Sequence, residues 1–550
     1  MVVDFEKQAS IQPDNYDVCI IGAGAAGIVL ATSLAQRGVR TLLLEAGGKR
    51  YASKYQDSYL GESDGLPYGG LYEGRFRVLG GTTTQWGGQI LELDDFIFEK
   101  RPWIPGSGWP FSKAELTPYY RRALQMEGLS QSPGDTEEIW RGLGLQQPAF
   151  GQDLLSAFAK FCPNTNFVGI HNDALFNDPN LTLCIRATAV ELELADDQST
   201  VVGVLCRSIG GREMRFGARN FVICMGGIEN SRFLLQATRR GSVAPWNRYG
   251  MVGRHFQDHL SGHVADVVEQ NSDLPDVYLD YVSIGGYRFQ QKMKLSFGTQ
   301  KQLETLDVAG FLTHFSGNHD DMALAYETVR WLRTNRYEKL SFGRLAHLAF
   351  NIHKMVWHRM PYSRAMQSGT RASRRKLKLC VNCEQSPLSE GRISLSPQQD
   401  SLGLWRAKVH WRSSAQEIHS IRSYVAIIQK SFEENRLGKI VPFPSLSSDE
   451  AVNSSFTDIF HHLGGTRMAE TPDAGVVDPN LRIFGTTNAY VCSTSVFPSA
   501  GFANPTHTLI ALAYRLADHL RTNVVSGTDR ATLSFNRSGS QSETENSAGI

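Results

Sequence analysis

Three glycines, Gly22-x-Gly24-x-x-Gly27, follow the apolar run Asp17-Val18-Cys19-Ile20-Ile21 and open a helical pattern that reaches Arg37. In that setting the first glycine makes a tight turn, the second lets backbone approach a pyrophosphate, and the third lets helix and strand pack closely. The pyrophosphate then sits at a helix N-terminus, where free N–H groups and the helix dipole favour an anion. Glu45 ends the next apolar run, where a carboxylate accepts ribose hydroxyls. A dinucleotide site is expected. Glu rather than Arg disfavours a 2′-phosphate, and the motif leaves NAD and FAD open. A second glycine turn with three hydroxyls lies at Val78–Gly88, and a third glycine-rich block spans 451–521, with His461 and His462 inside it.

Other chemistries find no support in the sequence. No His/Asp/Glu cluster has metal-ligand spacing, so no metal is expected. No G-x-S-x-G or P-loop is present. Cys380-x-x-Cys383 is followed by Glu384 where a haem site needs His, and reads as two thiols near a strand. Cys19, Cys184, Cys206, Cys224 and Cys492 read as buried thiols of a reducing compartment. Lys plus Arg number 56 and Asp plus Glu 55, which excludes a chain built around nucleic acid. The N-terminal stretch shows no basic segment followed by an apolar one, and no run is apolar enough to span a bilayer, so a cytoplasmic protein is expected.

The elements that must position these groups follow from the same residues. Residues 17–21, the helix to Arg37 and the strand ending at Glu45 form a β-α-β unit. Ser112 reads as the N-cap of a helix, with Glu115 as its capping-box partner. Residues 181–225 alternate as short strands and end in a glycine turn. A closing helix begins near Thr506, and from Asn523 the chain reads as disordered. Residues 331–379 hold twelve Lys or Arg and a single acid, Glu338. Within them Phe342, Leu345, Leu348, Ala349, Ile352 and Val356 have helical spacing. An ordinary surface helix flanking the site entrance is the preferred reading, and attachment to an anionic membrane the minority one.

Five blocks occur in one order: Val78–Gly88, Phe221–Leu235, Val252–Leu260, Glu384–Ser396, and the C-terminal group His461–Met468, Val476–Gly485 and Ser493–Thr508. With the N-terminal glycine motif, the chain over about 16–521 resembles the glucose–methanol–choline (GMC) family of FAD-dependent oxidoreductases. The resemblance implies that FAD is held by Gly22, Gly24, Ala25, Ala26, Gly27, Glu45 and Ala46, by Gly80, Gly81, Thr83, Thr84, Trp86 and Gly87, and by Val190, Gly226, Ser495, Val496, Asn504, Pro505 and Thr506. The family's H-x-x-G-T histidine maps onto His462, and its partner onto Asn504. Such a pair is similar to the pyranose oxidase and cholesterol oxidase branches rather than to glucose oxidase. Gln85 stands at the histidyl linkage position, so the FAD is expected to be non-covalent. Ser493 replaces the Asp that many members carry, and Gly81-Thr82-Thr83 replaces their G-S-S. His461, His255, His259 and His507 are read as structural, with His255 and His259 bonded to backbone or to Asp258.

The expected fold is α/β: a Rossmann-like FAD domain built from 16–95, 181–260 and 451–521, and a sheet-based substrate domain from 96–180 and 261–450. The expected reaction is oxidation of a primary or secondary alcohol on a sugar, glycoside or polyol. A neutral imidazole takes the proton, an Asn amide holds the oxygen, and flavin receives the hydride. A hydrophobic alcohol such as a sterol, or cyanohydrin cleavage by an FAD-containing lyase, are the alternatives. The partners expected are the alcohol and an electron acceptor, oxygen or another carrier, with a homo-oligomer compatible with the sequence.

Overall fold

The computed structural model of the chain describes residues 1–7, 12–147, 150–239, 244–268, 281–315, 328, 341–349, 376–387 and 390–526. Among them, six parallel strands form one sheet in the order Val2–Asp4, Leu181–Ile185, Thr41–Glu45, Tyr16–Ile21, Ala218–Ile223, Ala489–Val491. The central strands are buried along their length, as continuous apolar runs covered on both faces must be. Helix Ala25–Ala35 is apolar all round and buried from Ala26 onward, so it is enclosed rather than amphipathic. The closing helix packs on it and runs to Ser526, beyond the Asn523 boundary read from composition. Residues 527–550 of the expected disordered tail lie outside the described residues.

Helix Lys113–Met126 packs against that closing helix, burying Leu116, Tyr120 and Ala123, with Tyr120 Oη 2.9 Å from Thr508 Oγ1. Ser112 is its N-cap in extended conformation, but no capping box forms. The Glu115 carboxylate pairs instead with Arg515, at 3.3 Å, because the closing helix brings a cation within reach.

The second large sheet is antiparallel, in the order Lys439–Pro442, Leu260–Val268, Lys376–Cys383, Val308–Phe315, Tyr287–Leu295, Leu154–Phe161, Gln89–Ile90. One face carries Leu379, Val381, Leu312 and Met293 against helix Ala415–Glu434, whose Tyr424 donates to the Met293 carbonyl at 2.9 Å. An antiparallel sheet needs only one covered face. Cys380 and Cys383 are buried free thiols on the strand Lys376–Cys383, as the sequence suggested. Of the basic segment, residues 342–349 are helical, with Phe342 88% exposed and Leu348 9% exposed. Its remaining residues up to 375 lie outside the described residues.

A buried ion pair ties the segment after Gln89–Ile90 to the end of the strand Lys376–Cys383. Arg101 grips Glu384 with two N–H···O bonds of 2.7 Å, and both side chains are at most 1% exposed. Glu384 also accepts from the amides of Asp307 at 3.1 Å and Gly501 at 3.2 Å, and Asp307 accepts from Phe502 N at 3.1 Å. The loop leading to the closing helix is thereby fixed to the ends of two inner strands of the antiparallel sheet, Lys376–Cys383 and Val308–Phe315. Removing one partner of a buried pair leaves a naked charge, at a cost of about 3–5 kcal/mol. Arg101→Met is therefore expected to lower unfolding stability by about that amount, and Arg101→Lys to recover only part of it, because an ammonium lacks the two-pronged geometry. Denaturant unfolding of the three proteins is the test; a loss within about 1 kcal/mol for Arg101→Met would show that the pair is not what holds the loop.

Candidate active site

A long cavity opens where the parallel strands end. Gly22, Gly24, Ala25, Ala26, Glu45, Ala46, Gly81, Thr83, Trp86, Gly226, Pro505 and Thr506 line it, as expected from the sequence. Gly22 adopts φ +109°, and a side chain there would meet the Cys224 carbonyl. A Cβ on Gly27 would collide with the Gly22 carbonyl, so this third glycine is needed for packing and not for contact. At Gly24 nothing lies within 4 Å of the Cβ position, which is the opening a phosphate group requires. No side chain caps the N-terminus of helix Ala25–Ala35, so its amides are free for an anion. Glu45 accepts from Ala23 N at 3.0 Å and Gly47 N at 2.7 Å, which fixes its carboxylate at the strand end. Burial pushes its pKa up against those two bonds.

Other expected contacts are displaced by a residue or two. Val190 is buried in a strand, and Ala187, Thr188 and Ala189 line the cavity. Ser495 stands behind the wall, accepting from Asn230 Nδ2 at 3.0 Å and Thr466 Oγ1 at 2.6 Å, and Val496 is fully buried, while Ser493 and Thr494 face the cavity. Gly80, at φ +94°, shapes the second turn by donating to Ala23 O at 2.9 Å, and Thr84 bonds back to Gly81 O at 2.8 Å. Gly87 has open space around it.

Sequence reasoning missed the charge of this cavity. Arg75, Arg77 and Arg232 surround Glu229 at 3.2, 3.4 and 2.6 Å, and Arg232 also reaches Asp400 at 2.7 Å. Burial opposes ionisation of Glu229, yet Arg232, Arg77 and Arg75 hold its pKa down to about 2. Three cations face Glu229 and Asp400, and Arg77 also acts on Glu45. The Arg75-Phe76-Arg77 pair immediately before the second glycine turn was the available signal.

The expected pairing of Asn504 with His462 is not the one the structure forms. Asn504 Nδ2 lies 3.2 Å from Nε2 of His461, not of His462. The two histidines follow Phe460, whose φ of +66° redirects the chain, and consecutive residues of an extended segment point to opposite sides. The His462 ring turns away, toward Tyr68, at 6.2 Å between centroids, and toward Gly70. Its carbonyl accepts from Thr494 Oγ1 at 2.5 Å, and its Nε2 is buried without a hydrogen-bond partner among the described residues. His259 is also reassigned. Only its backbone N–H uses Asp258, at 2.7 Å; its ring Nδ1 lies 2.8 Å from His461 Nδ1. The same Asp258 oxygen accepts from His461 N at 3.0 Å.

Burial, with His259, His462 and Lys292 nearby, holds the His461 pKa well below the usual imidazole value. Burial, then Arg75, pulls His462 down to about 3. Burial, reinforced by Asp458, pushes Asp258 up to about 7. His507 stacks on Tyr120 and bonds Glu127 at 2.7 Å, a structural role as expected. Among the described residues, no group of three metal-ligating side chains occurs, and no helix is long and apolar enough to cross a membrane.

A family model described as GMC oxidoreductase matches residues 387–513, and one described as an FAD binding domain matches residues 15–58. The chain is 23% identical to an oxygen-dependent choline dehydrogenase of Chromohalobacter salexigens, covering 93% of this chain and 95% of that one. It is 24% identical to paromamine 6'-oxidase of Streptomyces fradiae, with 93% and 92% covered. Among solved structures, formate oxidase superposes with a TM-score of 0.56 at 16% identity over 94% of this chain and 99% of its own. Pyridoxine 4-oxidase from Mesorbium loti gives 0.53 at 14% identity, over 92% and 99%. The opening at Gly24 and the fixed Glu45 carboxylate fit the phosphate and ribose groups of FAD. The chain is an FAD-dependent oxidoreductase, and its residues 387–513 match the GMC oxidoreductase family.

Proposed function

We propose that the protein oxidises a primary or secondary alcohol, on a sugar, glycoside or polyol, with His461 as the base and Asn504 as the group that holds the substrate oxygen. The 3.2 Å approach of Asn504 Nδ2 to His461 Nε2 carries this reading. An amide donating there leaves Nε2 as the lone-pair nitrogen and puts the imidazole proton on Nδ1, where His259 Nδ1 accepts it at 2.8 Å. A substrate hydroxyl inserted between the two gives its proton to Nε2 while its oxygen keeps the Asn504 donor, which stabilises developing alkoxide charge. Bound FAD supplies the acceptor for the hydride. Gln85, exposed and without a nucleophile, leaves the cofactor non-covalent. The electrons then pass to oxygen or another carrier.

His461→Ala is expected to keep FAD and to slow anaerobic flavin bleaching by roughly 10²–10⁴. Asn504→Ala is expected to cost about 10²–10³, and His462→Ala to keep most of the rate. Rapid mixing measures all three, and the reverse ranking of the histidines would restore His462 as the base. Because the base must be neutral and its pKa is held low, activity is expected to persist as the pH falls through 6.5. A pH profile of kcat/KM with an acid limb at or above that value would contradict this assignment. Glu45→Gln, which removes acceptor capacity from a charged hydrogen-bond site, is expected to weaken FAD binding by about 1.5–3 kcal/mol. Titration of the deflavinated variant with FAD, followed by fluorescence, reads the change directly.

A further inference from the structure

A second imidazole stands directly behind His461. Asp258 Oδ1 accepts the backbone N–H of His259 at 2.7 Å and that of His461 at 3.0 Å, so one carboxylate oxygen holds the two residues side by side. Their rings meet at Nδ1, 2.8 Å apart, with planes at 89°. Two lone pairs cannot face each other at that distance, so one of the two nitrogens carries a proton. Asn504 Nδ2, which can only donate, stands 3.2 Å from His461 Nε2 and claims the lone pair there. The proton of His461 is therefore on Nδ1, and His259 Nδ1 is the acceptor. A neutral His259 then carries its own proton on Nε2. His461 lines the cavity, and His259, at 0% exposure, is enclosed behind it.

A base whose pKa burial holds well below the usual imidazole value is by itself a poor proton acceptor. The ring behind it is better placed to keep a positive charge. Burial lowers the pKa of His259 to about 4, but the Glu384 carboxylate and the Gly501 backbone work against it. At His461 the neighbouring His259, His462 and Lys292 add to the effect of burial instead. Glu384 and Gly501 are themselves bonded, carboxylate to amide, at 3.2 Å. We propose that His259 is a positioning residue for His461 and the far end of a two-proton relay. As the alcohol O–H bond breaks, its proton bonds to Nε2 of His461, and the Nδ1 proton of His461 passes to Nδ1 of His259. His461 ends neutral with its proton on Nε2, His259 ends as an imidazolium, and the hydride of the same carbon goes to bound flavin. Once product has left, the proton returns through His461 to solvent in the emptied site. The inference rests on the reading of His461 as the base.

Two measurements on the holoenzyme test the relay. The first needs no substrate. Selective nitrogen-15 labelling of histidine reads the ring tautomers by NMR, with His461→Ala and His259→Gln to assign the signals. His461 is expected to carry its proton on Nδ1 and His259 on Nε2. The second follows anaerobic flavin bleaching by rapid mixing in mixtures of ordinary and heavy water, with simple polyols and sugars as the alcohols. The wild-type rate is expected to curve with deuterium fraction, because two protons move together. His259→Gln keeps an oxygen that accepts from Nδ1 of His461 but cannot take its proton. It is expected to lose roughly 10–100-fold in rate, the usual worth of the group behind a working histidine, with KM within a few-fold and a linear dependence on deuterium. His259→Phe, which removes the acceptor as well, is expected to be slower still. The visible flavin spectrum of each variant reports that the site has folded. A linear dependence in wild type, equal curvature in His259→Gln, or His461 protonated on Nε2 at rest overturns the relay while leaving alcohol oxidation intact. Wild-type bleaching in His461→Ala, or no bleaching with any alcohol, overturns the reading of the base and the relay with it.

Discussion

The site depends first on a single buried ion pair. Asn504 reaches His461 late in the chain, on a loop with little regular structure of its own. Arg101 and Glu384 fix that loop by fixing Glu384, whose second task is to accept the Gly501 amide. The segment after Arg101 grips the same region again. Trp109 donates to Ser499 O at 3.0 Å and packs on Phe497, and Arg467, just past the histidines, donates to Gly106 O at 2.5 Å. The segment after Gln89–Ile90 thus holds both the stretch past His461 and the loop that carries Asn504, and the fork geometry of an arginine at its head sets the register.

The histidines are positioned by a second carboxylate acting on backbone. Asp258 accepts the amides of His259 and His461 together, while the rings of the same two residues bond one another. Main chain and side chain are therefore fixed by separate contacts, and neither ring can rotate without breaking the other's bond. Tyr68 Oη adds a third donor to Asp258 at 2.8 Å. Electrostatically the cavity is graded. Three arginines gather around Glu229 on one wall, and burial holds the imidazoles of His461 and His462 below their usual pKa.

What the sequence made legible was local. The Gly22–Gly27 turn and Glu45 declare themselves because strand, helix and acid follow within one β-α-β unit. The C-terminal blocks were legible as a pattern, and they identified the family before any geometry. The choice between His461 and His462 was not legible, since each stands three residues before a glycine, Gly464 or Gly465. A backbone turn at Phe460, invisible to spacing, decides it. Val190 and Ser495 missed by one or two positions for the same reason, because a pattern fixes which element is present and not which face it shows. The arginines of the cluster depend on contacts between distant segments, which no window of sequence contains. Their partners lie more than a hundred residues away in the cases of Arg75 with Glu229 and Arg232 with Asp400.

The strand order of the parallel sheet also fixes when the protein can first hold its cofactor. The motif that greets the phosphates is made early, but its sheet is bordered by Ala489–Val491, and the cavity is closed by the helix that begins at Thr506. During synthesis on the ribosome, the nucleotide cradle must therefore wait, open, while the whole antiparallel sheet emerges. Pairings of such high sequence separation are slow to form, and their unpaired edges are exposed in the interval. FAD is thus a late ligand. It is captured by a nearly finished chain and locks together two ends that synthesis kept apart longest.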